Sequence, residues 1–258
     1  MSLRHPPLPN TFKKDLLSGK TLIGCWCSLA NPLSTEVMGY AGFDWLLIDG
    51  EHAPNELGTI IAQLMALKDS TSAAVIRPEW AEPIVIKRLL DGGVYNFLMP
   101  YIETAEEAES AVRATRYPPQ GIRGVAVAHR GNRYGYQPDY FTTINDNISV
   151  VVQVESRSGV DQVERIAAVE GVDGLFIGPN DLSAALGHFG DPQHPEVQQA
   201  ILHVVKSAKA HGKASGILAP IESDARRYLQ LGMRFVAVGA DVGLLKNSSQ
   251  ALSARFKT

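Results

Sequence analysis

Cysteine is scarce in this chain: Cys25 and Cys27 are the only two in 258 residues, and one residue separates them. A C-x-C without a second pair is a poor zinc site and no disulfide framework, so a reducing, cytoplasmic setting is expected. No apolar run approaches the roughly 20 residues that a membrane helix needs. The stretch Met1 to Asn10 carries prolines and lacks the apolar centre of a signal peptide. Charge of one sign is also missing. A net −3 speaks against nucleic acid or an anionic membrane as the partner. No glycine-rich dinucleotide fingerprint follows any strand-like run. What is present is ample apolar material, 45% of the residues, at a length that suits one α/β barrel of about 250 residues. A single domain over residues 1–258 is expected, with 1–10 as a flexible tail.

A weak internal repeat organises the chain. Four segments, Gly42 to Asp49, Gly93 to Pro100, Gly171 to Gly178 and Gly232 to Gly239, share one layout: a helix end, a Gly, a short bend, then an apolar run. The Gly serves the left-handed cap that ends a helix. The runs WLLI, NFLM, GLFI and FVAV are almost continuously apolar, as strands buried on both faces must be. Four more runs, Leu22 to Cys27, Ala73 to Arg77, Ile148 to Val154 and Ser215 to Ala219, fill the gaps. Between them lie helical patterns. Thr104-x-x-Glu107 is a capping box opening a helix to Arg116, and Pro195 to His211 and Glu222 to Leu231 are amphipathic. Eight strands alternating with helices predict an α/β fold of the (β/α)8 barrel type.

Catalysis in such a barrel sits at the C-terminal ends of the strands. Two apolar runs end in carboxylates there, Glu155 after VVVQV and Asp181 after LFIGPN, and a third ends in Asp49-Gly50-Glu51-His52. One acidic strand end alone is an ordinary cap. Several at equivalent positions form a cradle for a hard divalent cation with positions left open for substrate. Gln153 and Glu155 are two apart and share a face of the strand. Gln153 is either a ligand contact or a buried neutral residue, and both readings stand. The backbone amides of Asn180 and Asp181, opening a short helix, are placed to receive a carboxylate. Arg77 ends a strand just before Pro78. A strand-end arginine in a barrel mouth is costly without an anion, which points to substrate binding or oxyanion stabilisation. His52 lies in a loop beyond a strand; beside a metal it becomes a candidate general base. No lysine falls within a strand run, so imine chemistry is excluded and a metal must stabilise any carbanion.

The stretches GFDWLLIDGEHAPN, RLLDGG, VQVES, EGVDGLFIGPNDLSAALG and ILAP with FVAVGADVG resemble the HpcH/HpaI aldolases, the class II pyruvate aldolases, from about Phe12 to Phe256. GCW, RYPPQGIRGV and AHGKASGILAP are similar to the branch acting on sugar diacids of the 2-dehydro-3-deoxyglucarate type. The resemblance implies a modified TIM barrel, a homohexamer and a C-terminal helix exchanged between subunits. It implies Mg²⁺, with Mn²⁺ or Co²⁺ as possible substitutes, held by Glu155 and Asp181. It further implies His52 as proton acceptor, Arg77 as oxyanion stabiliser and Asp91 as the acid supporting the histidine. Gln153, Asn180 and Asp181 become contacts to pyruvate. The chain reads GPND where close relatives have GPSD, a change that a backbone contact tolerates. The implied reaction is retro-aldol cleavage of a 4-hydroxy-2-oxo acid to pyruvate and an aldehyde such as tartronate semialdehyde. Alternatives are the same chemistry on 4-hydroxy-2-oxoheptanedioate or a 2-keto-3-deoxy sugar acid, or a non-catalytic acyl-CoA-binding barrel.

Asp91 is in tension with that role. It ends a helix just before a strand, a full strand length, roughly 17–20 Å, from the mouth. The expectation is therefore that it serves the His52 of a neighbouring subunit. The stretch Gly121 to Asn147, with no clear strand or helix, far exceeds a usual connection of about 4–6 residues. It carries Arg123, His129, Arg130, Arg133, Tyr134 and Tyr136, and is expected to lie at a subunit interface.

Overall fold

A computed structural model describes residues 8–257. Eight parallel strands close into a barrel in sequence order: β1 (Leu22–Cys27), β2 (Trp45–Asp49), β3 (Ala73–Arg77), β4 (Asn96–Met99), β5 (Ser149–Val154), β6 (Gly174–Ile177), β7 (Ala214–Leu218) and β8 (Phe235–Ala240). Helices cover the outside. The expected glycine caps are present, with Gly42, Gly93, Gly171 and Gly232 at φ of 88°, 98°, 88° and 99°. A side chain there would oppose the left-handed turn that brings each helix back to the sheet. The Thr104/Glu107 capping box opens the helix Ala105–Ala114.

Alternation along each strand builds two apolar layers. Trp45, Leu47, Val75, Leu98, Val151, Phe176 and Phe235 fill the barrel. Leu46, Ile48, Ile76, Met99, Val152 and Ile177 pack outward against the helices. Inside, Trp45 stacks on Phe235 at 3.9 Å between ring centroids, and Trp26 leans on Phe176 at 5.6 Å. Gly24 is needed on β1 because a Cβ there would enter the Trp45 ring. The barrel is thus a packed core and leaves chemistry only its mouth.

Three expectations change. The tail was expected to be flexible through residue 10; residues 1–7 lie outside the described residues, but Leu8 and Asn10 are buried. Asn10 caps the helix Thr11–Leu17, and its amide donates to Asn96 Oδ1 at 2.7 Å and to the Asn147 carbonyl at 2.8 Å. That helix seals the barrel's N-terminal end with Phe12 and Leu16. The stretch 121–147 is not free of helix: it holds a 3-10 helix, Arg130–Gly135, and an α-helix, Tyr140–Asn147. The helix expected to reach Arg116 stops at Ala114. The final helix, Asp241–Ala254, buries only its first residue and leaves Leu244, Leu245 and Leu252 about half exposed. Among the described residues no helix is long and apolar enough to cross a membrane.

Candidate active site

The parity that fills the barrel also sets its mouth. Trp45 and Leu47 point inward on β2, so Asp49 does too; Val75 on β3 puts Arg77 inward; Val151 on β5 puts Gln153 inward, with Glu155 one step beyond. Asp49 and Arg77 are register partners across β2 and β3. Arg77 donates from Nε to Asp49 Oδ1 at 2.9 Å and from Nη2 to Oδ2 at 2.8 Å, a two-pronged ion pair with both residues buried. Its Nη1 lies 2.9 Å from Glu51 Oε2, a charge contact without hydrogen-bond alignment. Trp26 lies beneath the guanidinium, 5.7 Å from ring centroid to Cζ. Burial opposes the charge on Arg77, but Asp49 and Glu51 outweigh it and hold the group above the ordinary arginine range. Asp49 also accepts from the backbone N–H groups of Glu51 and His52 at 3.0 and 3.3 Å, which shapes the loop carrying the histidine.

Opposite stands an acidic cradle. Glu155 is 3% exposed. Burial pushes its carboxyl up to about 7, helped by the carboxylates of Glu51 and Asp181. The N–H of Tyr101 donates to its Oε1 at 3.0 Å, and Gln153 Nε2 donates to its Oε2. Tyr101 reaches it through a left-handed backbone, φ 52°, which a tyrosine rarely adopts. A Cβ at Gly178 would collide with Glu155 Oε2, so the glycine next to Asp181's helix holds the cradle open. Gln153 Oε1 is buried with no hydrogen-bond partner among the described residues. Asp181 lies exposed in the first turn of the helix Pro179–Ala185. The carboxyls of Glu51 and Asp181 thus lie close enough to Glu155 to oppose its ionisation.

Not every expected residue joins this group. His52 is exposed on the loop beyond β2, next to Glu51. Asn180 is exposed, its carbonyl taken by the Ser183 hydroxyl at 2.7 Å. Asp91 is away from the mouth, at the end of the helix Pro83–Gly92, where it accepts from Arg123 Nη2 at 2.8 Å. The anion that a buried strand-end arginine requires is supplied within the chain by Asp49. Asp49, Glu51 and Tyr101 were not singled out as partners of these groups. Asp49 and Glu51 were visible as a strand-end acid and its neighbour; nothing in the sequence marks Tyr101.

The HpcH/HpaI aldolase/citrate lyase family pattern matches residues 22–248. The chain is 63% identical over 249 residues to the 5-keto-4-deoxy-D-glucarate aldolase of Klebsiella pneumoniae, covering 96% of this chain and 97% of that one. The Escherichia coli O6:H1 protein of the same name is 60% identical over 255 residues, 99% and 100% of the two chains. A solved HpcH/HpaI aldolase/citrate lyase family protein from Burkholderia cenocepacia superimposes with a TM-score of 0.93 at 44% identity, covering 96% and 100%. With the barrel, the acidic mouth and these relatives in agreement, the chain belongs to the HpcH/HpaI aldolase/citrate lyase family.

Proposed function

We propose that this protein is a divalent-metal-dependent aldolase that cleaves 5-keto-4-deoxy-D-glucarate, or a close 4-hydroxy-2-oxo sugar diacid, to pyruvate and tartronate semialdehyde. The observation that carries the reading is the acidic cradle of Glu155 and Asp181 facing Arg77 across the mouth of a barrel whose strands contain no lysine. The donor set fits a hard cation: the oxygens come from carboxylates, and burial, with the carboxylates of Glu51 and Asp181 adding to it, raises the Glu155 carboxyl to about 7, a penalty on its charged form that a cation would offset. Glu155 and Asp181 would hold the metal, with Gln153 steadying Glu155. Bound there, a divalent ion supplies Lewis-acid polarisation of the 2-keto oxygen.

The chain's own groups do the rest. Gln153 and the backbone N–H groups of the turn at Asn180 contact the pyruvoyl end. The exposed imidazole of His52 takes the proton from the C4 hydroxyl. The C3–C4 bond breaks, its electron pair moves to the C2 oxygen as an enolate, and the C4 fragment leaves as the aldehyde. Arg77, immobilised by Asp49 and Glu51, presents fixed positive charge to that oxygen without reorganising. Protonation at C3 gives pyruvate. Asp91 completes the site from a neighbouring subunit by accepting the other N–H of His52. In its own chain it sits by Arg123, whereas the exposed His52 is open to a neighbour. The half-exposed leucines of the helix Asp241–Ala254 and the exposed Val125 and Val127 support a homo-oligomer, a hexamer with that helix exchanged. The buried, unpaired thiols of Cys25 and Cys27 suit a cytoplasmic location.

A coupled pyruvate-release assay across a panel of 4-hydroxy-2-oxo acids, with Mg²⁺, Mn²⁺ and Co²⁺, tests the reading. The sugar diacid should be turned over fastest, and chelation should abolish release. Metal-independent turnover, or preference for 4-hydroxy-2-oxoheptanedioate, would contradict it.

A further inference from the structure

Asp91 occupies a position that helices disfavour for a carboxylate. It lies in the last turn of the helix Pro83–Gly92, where the unpaired carbonyls already concentrate negative potential. Its counter-charge, Arg123, is fully buried. The guanidinium is fixed on several sides: Nη2 donates to Asp91 Oδ1 at 2.8 Å and Nη1 to the Tyr140 hydroxyl at 3.1 Å. The Tyr117 and Tyr140 rings lie 4.4 and 5.7 Å from its Cζ. His129 packs edge-on against Tyr140 at 5.3 Å, with Nδ1 3.8 Å from the same Asp91 oxygen. Both contacts therefore use Oδ1, and the Asp91 side chain still keeps 27% exposure.

We propose that Arg123 is the positioning residue for Asp91: it clamps Oδ1 and leaves Oδ2 as the acceptor for the imidazole N–H of a neighbouring subunit's His52. This deepens, and rests on, the reading of Asp91 as the acid that acts across the interface. A free aspartate at a helix end samples several rotamers, and each misplaces the acceptor. Arg123 removes that freedom from below, and Tyr117 and Tyr140 remove it from Arg123. The segment 117–140 thus fixes the geometry of a site to which its own chain contributes only Asp91. The competing account is that Asp91 merely neutralises Arg123 so that the segment can pack.

The two accounts separate in a cycle of Arg123→Lys, Asp91→Asn and the double variant, measured for kcat, KM and melting temperature in the assembled, metal-loaded protein. Positioning predicts a kcat loss of roughly 10- to 100-fold in Arg123→Lys, as expected for a displaced group, with KM unchanged. It also predicts that the double variant is no slower than Asp91→Asn. Full kcat in Arg123→Lys beside an inactive Asp91→Asn, or losses that multiply in the double variant, would overturn the proposal and leave the role of Asp91 standing. Full activity in Asp91→Asn would instead remove the reading on which it rests. Should Arg123→Lys fail to assemble, Tyr140→Phe frees the guanidinium while keeping its charge. A fall in kcat without a change in KM is then expected, and a lower melting temperature with unchanged kcat would refute positioning.

Discussion

Glu155 couples the mouth to pH. Burial, with Glu51 and Asp181 adding to it, raises its carboxyl from an ordinary 4.5 to about 7 in the folded chain. Between those values the fold holds a proton that the unfolded chain has released. The stabilisation is complete below the unfolded value and is lost as pH rises through about 7, up to roughly 3 kcal/mol over that window. The melting temperature of the metal-free protein should therefore fall between pH 5 and 8, and fall less steeply in Glu155→Gln. Parallel curves from calorimetry would show that Glu155 is not the group responsible. The metal-loaded enzyme should behave in the opposite sense, since binding needs the carboxylate: metal affinity measured by titration should rise up to pH 7 or so and then level off. Arg77 yields a second expectation. Arg77→Lys cannot meet both Asp49 oxygens and Glu51 at once, so kcat should fall on the order of 100-fold, the cost of losing one oxyanion donor. Unchanged turnover would mean that charge alone suffices. That Arg77, Gln153 and Glu155 stand at the barrel mouth was legible, because strand-end position and alternation follow directly from the pattern. Asp49 as Arg77's clamp was not, because the pairing depends on the β2–β3 register, which short apolar runs leave open. Tyr101 left no signal, since nothing in its neighbours requires a left-handed backbone there.

At the scale of elements, strands and helix caps were readable and the stretch 121–147 was not. Its two helices have poor local credentials. Arg130–Gly135 contains glycines and two residues, Arg133 and Tyr134, at φ of 54° and 56°. Tyr140–Asn147 is rich in Thr and Asn and lacks a side-chain cap; it is held by the burial of Tyr140 and Ile144. Tertiary packing decides its state, and propensity alone points elsewhere. The C-terminal helix presents the reverse case: a good helix with little to pack on in its own chain. Leu244 and Leu245 are 49% and 59% exposed. Full burial of such a side chain against a neighbour contributes roughly 1.5–3 kcal/mol. Leu244→Asp with Leu245→Asp should therefore dissociate the proposed oligomer while sparing the barrel's circular dichroism. Sedimentation at wild-type mass would show that this helix is not an interface element.

The whole molecule divides its labour between two ends. The C-terminal mouth holds Arg77, Glu155 and Asp181, with His52 exposed on the loop beyond β2, while the helix carrying Asp91 ends near the N-terminal side of β4. Under the proposed reading of Asp91, a subunit alone would lack the acid for its histidine, and the active site would be assembled between chains. Pyruvate release from mixed oligomers tests it most directly. Asp91→Asn and His52→Ala chains, each inactive alone, are unfolded together, refolded with metal and assayed. The account predicts that activity reappears, approaching about a quarter of the wild-type level if chains assort at random around a symmetric ring. Activity no higher than that of either variant alone would contradict it.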